Sequence, residues 1–436
     1  MSSKPGPRRH KKPIADRFFV ISLLAAQVLI VSHSEVSAET IALSESEAVE
    51  RAHGVETLNR QYRAGVDAVR ADAIEHRRWS NPTVQWTREQ PLGAPDTFGE
   101  DQLEVHLRLP LSGRHRQTVR AIDIEVDAKR MEAIEQLRQR DQRVRYAFYD
   151  LLEAQQQLEV FEAHLDETDE LLEWMNLLFE SGEASQYELK RLQSEQNAIA
   201  SEQHQIRARR EQRSALLGGL ITSPGDELPR VRAEGPLAPA SYEHTQSVSE
   251  SPQLMALQKR QHAAEERSRA LRRWWFPDPM LQAGIIRDFT GDSGRYGATI
   301  GLAFEIPFVD ENRGPRQRQK AEIVKFENQR LLKAHELDAR LYGLHAQLEA
   351  MVEATADYRD EIIPGARDVL RLTRRAYEGG EASVAEVLDA LRTVKRAELR
   401  HIELAAKTRA IEVELRGHQE GAEPWREHSL DSTRGE

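Results

Sequence analysis

The chain carries the same plan twice, and this limits its possible folds more than any other feature. Arg77-Arg78-Trp79-Ser80-Asn81-Pro82-Thr83-Val84-Gln85 resembles the stretch from Arg272 to Gln282, which closes Phe276-Pro277-Asp278-Pro279-Met280-Leu281-Gln282. Pro82 and Pro279 lie 197 residues apart, and so do Pro110 and Pro307. Glu180-Ser181-Gly182-Glu183-Ala184-Ser185 returns as Glu378-Gly379-Gly380-Glu381-Ala382-Ser383, at an offset of 198. Three landmarks spread over about 100 residues thus keep one spacing to within a residue, which chance alignment does not produce. The sequence therefore predicts a duplicated unit.

Each half reads in one order: helix, two strands, very long helix, tight turn, returning helix. In the first half, 43–79 reads as helix, strands occupy about 82–90 and 102–110, and a helical pattern runs from about 114 to 181. Along it Leu137, Val144, Leu151, Leu158, Leu165, Leu172 and Phe179 recur every seven residues. That is a coiled-coil signal, and unbroken the helix would be ~100 Å long. The second half repeats it with Leu337, Leu344, Met351 and Tyr358. There Pro364-Gly365 predicts a kink, because Pro removes a backbone donor. Gly182 and Gly379-Gly380 supply the left-handed backbone that a tight turn needs. Ser185 and Ser383 are placed to cap the returning helices.

The strands carry more information. Leu103, Val105, Leu107 and Leu109 alternate with Glu104, His106 and Arg108; Ala298, Ile300, Leu302, Phe304 and Ile306 alternate with smaller or polar residues. The partner runs Thr83–Arg88 and Met280–Ile286 are less regular. Gly-containing links, Gln90–Gly99 and Asp288–Gly294, make each pair a hairpin. Strands of about nine residues with one apolar and one polar face match the signature of a transmembrane barrel. Alternation alone fits a half-buried sheet in a soluble domain equally well. Trp79, Trp86, Trp274 and Trp275 lie within or beside the strands, where an aromatic girdle would sit. Four strands cannot close a barrel, and open edges are not tolerated in lipid. Several chains would therefore have to pool them.

The N-terminus addresses the compartment. Lys4, Arg8, Arg9, Lys11, Lys12 and Arg17 precede an apolar run, Phe18–Val31, and a polar stretch ending Val36-Ser37-Ala38. Residues 1–38 read as a cleaved signal peptide. Fourteen residues rise only ~21 Å as a helix, short of the ~30 Å hydrocarbon core. With no cysteine, lipidation at an N-terminal cysteine, disulfides and thiolate metal sites are excluded. The net charge of −11 with scattered basic residues leaves no nucleic-acid footprint. Phosphate-loop, zinc-protease and nucleophile-elbow motifs are missing, and the fifteen histidines do not cluster at ligand spacing. Neither a cofactor nor an enzymatic activity is expected. The domain plan is 1–38 signal peptide, 39–220 first repeat, 221–250 Pro/Gly-rich inter-repeat segment, 251–417 second repeat and 418–436 polar tail.

On Phe98-Gly99-Glu100, Leu109-Pro110-Leu111-Ser112-Gly113-Arg114, Pro277-Asp278-Pro279 and Ile306-Pro307-Phe308 followed by Asn312-Arg313-Gly314, the sequence resembles the outer-membrane efflux proteins of the TolC family, most of all the CzcC-type heavy-metal branch. The resemblance covers essentially the whole mature chain. It implies a mainly α fold with a β-barrel portion: a homotrimer with a twelve-stranded barrel in outer-membrane lipid and an α-helical periplasmic tunnel. The partners it implies are a periplasmic adaptor and an inner-membrane RND pump. Leu103, Val105, Leu107, Ala298, Ile300, Leu302 and Phe304 would then face lipid. The two turns, Gly182-Glu183-Ala184-Ser185 and Gly379-Gly380-Glu381-Ala382-Ser383, fall where the family places its adaptor-docking tips. Glu386 and Asp389 match the spacing of an acidic pair that lines the periplasmic mouth in some relatives, although Glu386 replaces the more usual Asp. Three residues apart, they share a helical face; the first repeat has Glu188 and Arg191 instead. A solvated acidic face is the plainer alternative in a chain with 72 acidic residues. The residues also leave open a soluble periplasmic coiled-coil adaptor or scaffold, or an exit duct for organic compounds.

Overall fold

The computed structural model describes residues 40–90, 92–93, 98–237, 251–273, 275–290, 293–306 and 312–419. The expected signal peptide, Trp274, Pro307, Phe308, residues 238–250 and the end of the tail lie outside them.

The first repeat opens with strand β1 (Thr40–Leu43), then α1 (Glu45–His53) and α2 (Glu56–Arg77). The sequence predicted one helix over 43–79; the structure breaks it at Gly54-Val55. Ser44 starts α1 through a capping box with Glu47. Gly54 ends it, donating to the Glu50 and Arg51 carbonyls, while Asn59 Nδ2 holds the His53 carbonyl at 2.8 Å. Strands β2 (Thr83–Glu89) and β3 (Phe98–Arg108) follow, then α3 (Arg114–Ser181), α4 (Gln186–Ile221) and β4 (Arg230–Ala233).

The second repeat runs α5 (Pro252–Arg272), β5 (Met280–Thr290), β6 (Ser293–Ala303) and α6 (Arg313–Asp357). One π-helical turn (Tyr358–Ile362) leads into α7 (Ile363–Glu378), and α8 (Val384–Gln419) returns. Where the sequence predicted a kink at Pro364, the structure has that π turn. A proline ring cannot donate to the carbonyl four residues back, and one wider turn absorbs the lost bond.

Helix α3 is unbroken for 68 residues, ~100 Å. Its seven-residue stripe is buried from Leu137 through Leu158 but exposed at Phe179. A straight helix drifts ~20° per heptad against such a stripe. Toward the far end the buried line accordingly shifts to Phe161, His164, Thr168 and Met175.

Midway along, β1 and β4 pair in parallel, Ile41 opposite Val231, a contact without a local sequence signal. They seat the main core, where Phe148, Leu151, Leu217, Val231 and Val413 close together. Around it lie buried ion pairs. Arg409 bonds Glu412 at 2.6 Å and the Leu237 carbonyl at 3.2 Å; Arg138 bonds Glu135 and the Gly417 carbonyl.

Candidate functional site: a two-faced sheet and paired hairpin tips

The two expected hairpins form one antiparallel sheet, in the order β2-β3-β5-β6. The junction is β3 on β5, with Leu103 opposite Ile285 and Val105 opposite Ala283. That pairing draws β3 back to Phe98, four residues before the expected start. The second hairpin is also tighter than expected: Asp288–Thr290 pair with Ser293–Arg295, leaving a two-residue link. All four helix-linked strand ends lie at one end of the sheet and both hairpin links at the other. Strands β2 and β6 are its edges.

Residues directly opposite in a ladder share a face, so the register sorts the side chains. One face carries Val84 and Trp86, Leu103, Val105 and Leu107, Leu281, Ala283 and Ile285, and Tyr296, Ala298, Ile300 and Leu302. The other carries Thr83, His106, Gln282 and Gly301, then Gln85, Glu104, Gly284 and Thr299. The burial is inverted relative to a soluble sheet. Val105 is 42% exposed and Ile300 84%, whereas the side chains of Glu104 and His106 are 20% and 15% exposed. The polar face is crowded: a Cβ on Gly284 would stand 2.7 Å from the Leu103 carbonyl and 2.9 Å from Thr299 Oγ1. Across it Gln102 Nε2 meets Glu104 at 2.6 Å, and His106 Nε2 meets Glu104 at 3.2 Å.

Of the expected lipid-facing residues, Leu103, Val105, Ala298, Ile300 and Leu302 stand exposed on the apolar face. Leu107 shares that face but is half-buried, and Phe304 is exposed one residue beyond the end of β6. Val84, Trp86, Leu281, Ala283, Ile285 and Tyr296 complete the belt. Alternation in the Thr83–Arg88 and Met280–Ile286 runs was the signal for all of these but Tyr296, and glycine and polar neighbours diluted it. Trp79, Trp275 and Phe276 stand exposed at the helix end of the sheet, and Tyr296 toward its hairpin end.

The two turns lie side by side at the opposite end of the long helices. Met175, Leu189 and Leu192 of the first hairpin pack on Val384 and Leu388 of the second. The Trp174 and Tyr377 rings meet edge to face at 5.4 Å. At the first tip Gly182 has φ +83, and Glu183 and Ala184 both donate to the Leu178 carbonyl. At the second, Gly380 has φ +78. Gly379 is right-handed (φ −81), so Gly380 alone of the pair supplies the left-handed residue that closes the turn. Glu381 and Ala382 then donate to the Ala376 carbonyl.

Both expected caps form, with reciprocal partners. The Ser185 backbone N–H reaches Glu188 Oε2 at 2.8 Å, and Ser383 makes the same bond to Glu386. These N–H and hydroxyl donors hold the Glu386 carboxyl below its usual range, the backbone bond contributing most. Glu386, the first member of the proposed mouth pair, is thus the third residue of a capping box. Asp389 is exposed one turn further along. Beside it Arg392 is clasped by the buried Glu195 of α4, with Nε to Oε1 at 3.0 Å, which ties the two hairpins together.

Deeper, His164 is buried in α3 with Nε2 2.9 Å from Glu398 of α8. Burial raises the Glu398 pKa, but bonds from His164 and Arg367 outweigh it and hold the carboxyl low. Among the described residues no group of three or more His, Cys, Asp and Glu side chains is arranged to hold a metal ion. No described helix is long and apolar enough to cross a membrane.

The sequence profile of the outer membrane efflux protein family matches residues 245–418, which span the second repeat. Over these residues the chain is similar to this family. It is 26% identical over 133 residues to the cobalt-zinc-cadmium resistance protein CzcC of Cupriavidus metallidurans, a match covering 30% of this chain and 31% of that relative. The fold is similar over far more of the length. The outer membrane protein VceC of Vibrio cholerae superposes with a TM-score of 0.70 at 16% identity, over 87% of this chain and 97% of that one. CusC gives 0.71 at 17%, over 86% and 92%. The open MtrE outer membrane channel of Neisseria gonorrhoeae gives 0.69 at 15%, over 87% and 89%. The mainly α architecture with a β portion, expected from the sequence, is the architecture of these channels.

Proposed function

We propose that the protein is the outer-membrane exit duct of a tripartite efflux system, working with a periplasmic adaptor and an inner-membrane RND pump, and that its cargo is divalent heavy-metal cations. The observation that carries this reading is the inverted sheet: its apolar face is open and its polar face sheltered. A sheet cut off at β2 and β6 leaves two rows of backbone groups that lipid cannot satisfy. Three copies joined edge to edge would remove both rows and give a barrel of twelve strands. The apolar belt would then face lipid and the polar Glu104–His106 face would line the pore. Such a duct is passive and not an enzyme. The helical hairpins would extend into the periplasm, with the Gly182–Ser185 and Gly379–Ser383 tips as the adaptor-docking end. The likeness to CzcC supports a metal cargo over organic compounds. At the mouth, Asp389 is the member of the acidic pair that capping does not occupy, and a ring of these carboxylates would favour cations.

The test is fractionation, followed by the mass of the detergent-extracted species, on the wild type and on Ile300→Arg. The wild type should be a trimer in the outer-membrane fraction. Ile300→Arg should fail to assemble there, at a cost of ~2–4 kcal/mol per site near the midplane. A soluble periplasmic monomer would leave the scaffold reading standing instead.

A further inference from the structure

The belt on the apolar face ends at the hairpin end of the sheet in a row of different chemistry. Arg88 lies opposite Asp101, Asp101 opposite Arg287, and Arg287 opposite Tyr296. Both guanidinium groups converge on one ring: Arg287 lies 4.5 Å from the Phe289 centroid and Arg88 6.0 Å, and Arg287 is also 5.7 Å from that of Tyr296. Ring faces attract a cation without using its in-plane N–H groups. Among the described residues Arg287 has no ion pair, and the Arg88 Nε is 3.9 Å from Asp101 Oδ1, beyond hydrogen-bond reach. Charge is also sorted across the sheet here: Glu89, Glu100 and Asp288, with Arg295, occupy the opposite face. Two arginines crowded together with one carboxylate leave an unmatched positive charge on the face that carries the apolar belt.

We propose that Arg88 and Arg287 bind the phosphate groups of an anionic glycolipid in the outer leaflet. The proposal rests on the barrel reading, which puts the helices in the periplasm and the hairpin end outermost. Tyr296 to Phe304 measures ~27 Å along the strand at ~3.4 Å per residue, and strand tilt brings this near the thickness of an outer-membrane belt. Arg88, Arg287 and Tyr296 then stand at headgroup depth. Guanidinium forks suit phosphate oxygens geometrically as well as electrostatically. Acyl chains would lie below, along Trp86, Leu103 and Ile285.

The test titrates the full-length trimer in detergent with bis-phosphorylated lipid A, with its dephosphorylated form and with inorganic phosphate, read by native mass spectrometry. The wild type should retain the phosphorylated lipid, and Arg88→Gln with Arg287→Gln should weaken it roughly tenfold or more. The dephosphorylated form should not distinguish the two proteins. Competition by inorganic phosphate at the lipid's own concentration, or equal retention of the phosphorylated lipid by both proteins, would overturn the proposal. Asp101→Asn removes the one carboxylate between the arginines and should tighten binding; unchanged or weaker binding would also overturn it, even if the double variant failed to assemble. Soluble wild-type protein would defeat the barrel reading itself, whereas a membrane trimer indifferent to lipid phosphate would defeat this inference alone.

Discussion

The two repeats share a topology, and their long helices have met different fates. In the first, α3 runs unbroken and buries side chains along most of its length. In the second, the equivalent length is divided into α6, a π turn and α7, and among the described side chains of α6 only Leu337, Leu348 and Thr355 are buried. Leu331, Leu332, Tyr342, Val352, Val369 and Leu372 stand exposed. One copy of the unit has become the spine of the protomer, and the other its open flank. Duplication accounts for the shared order of the elements, and in the proposed trimer position in the assembly would set how much of each copy must be apolar inside a single chain.

This contrast can be broken most directly in the cores. Leu151→Ala in α3, at a fully buried site, should cost ~2–5 kcal/mol in chemical unfolding. Leu332→Ala in α6 should stay within ~0.5 kcal/mol for the isolated chain, yet reduce the fraction of trimer that survives on a native gel. Equal costs in the monomer would remove the distinction between spine and flank. Next in size, the counterpart of Pro364 at an offset of 198 is Asp166 in the unbroken helix. Asp166→Pro should destabilise the fold by ~3 kcal/mol or more, visible in thermal unfolding, while Pro364→Ala is tolerated.

At the tips the repeats converge, and smaller effects test that. Ser185→Ala should cost ~1 kcal/mol of local stability, read by hydrogen exchange in the first turn of α4, with Ser383→Ala acting in the same direction on α8. The Glu386 carboxyl is held below its ordinary 4.5 by Ser383. Its contribution is therefore complete above that value and is lost as pH falls through the lower folded pKa. Protection against exchange at the start of α8, relative to the unstructured peptide at the same pH, should fall in the wild type as pH drops below that ordinary value, and Ser383→Ala should flatten that dependence.

Much of this was legible in the sequence, for local reasons. A heptad stripe, a glycine turn and a serine followed three residues later by glutamate each state their structure within a few residues. The bounds of α3 and both capping serines were readable on those grounds. What was not readable depends on distance. The pairing of β3 with β5 joins segments about 180 residues apart, and β1 with β4 about 190. No local pattern announces such partners, so the sheet was expected as two hairpins and the apolar belt was only half seen. Glu386 shows the converse: its spacing to Asp389 suggested a mouth residue, while its spacing to Ser383 specified a cap. The acidic pair and the docking tips remain proposals whose geometry is now defined.

The drifting stripe on α3 has a mechanical corollary. A helix whose apolar line turns steadily about its axis is not fastened along one seam; it changes partners level by level. Near the sheet it is held by α2 and α5; from mid-length to the tips α4 and α8 run beside it, joined at mid-length by the β1–β4 pair and near the tips by α7. Torque applied at the tips would therefore be taken up by the last set of contacts first, leaving the grip at mid-length and at the sheet intact.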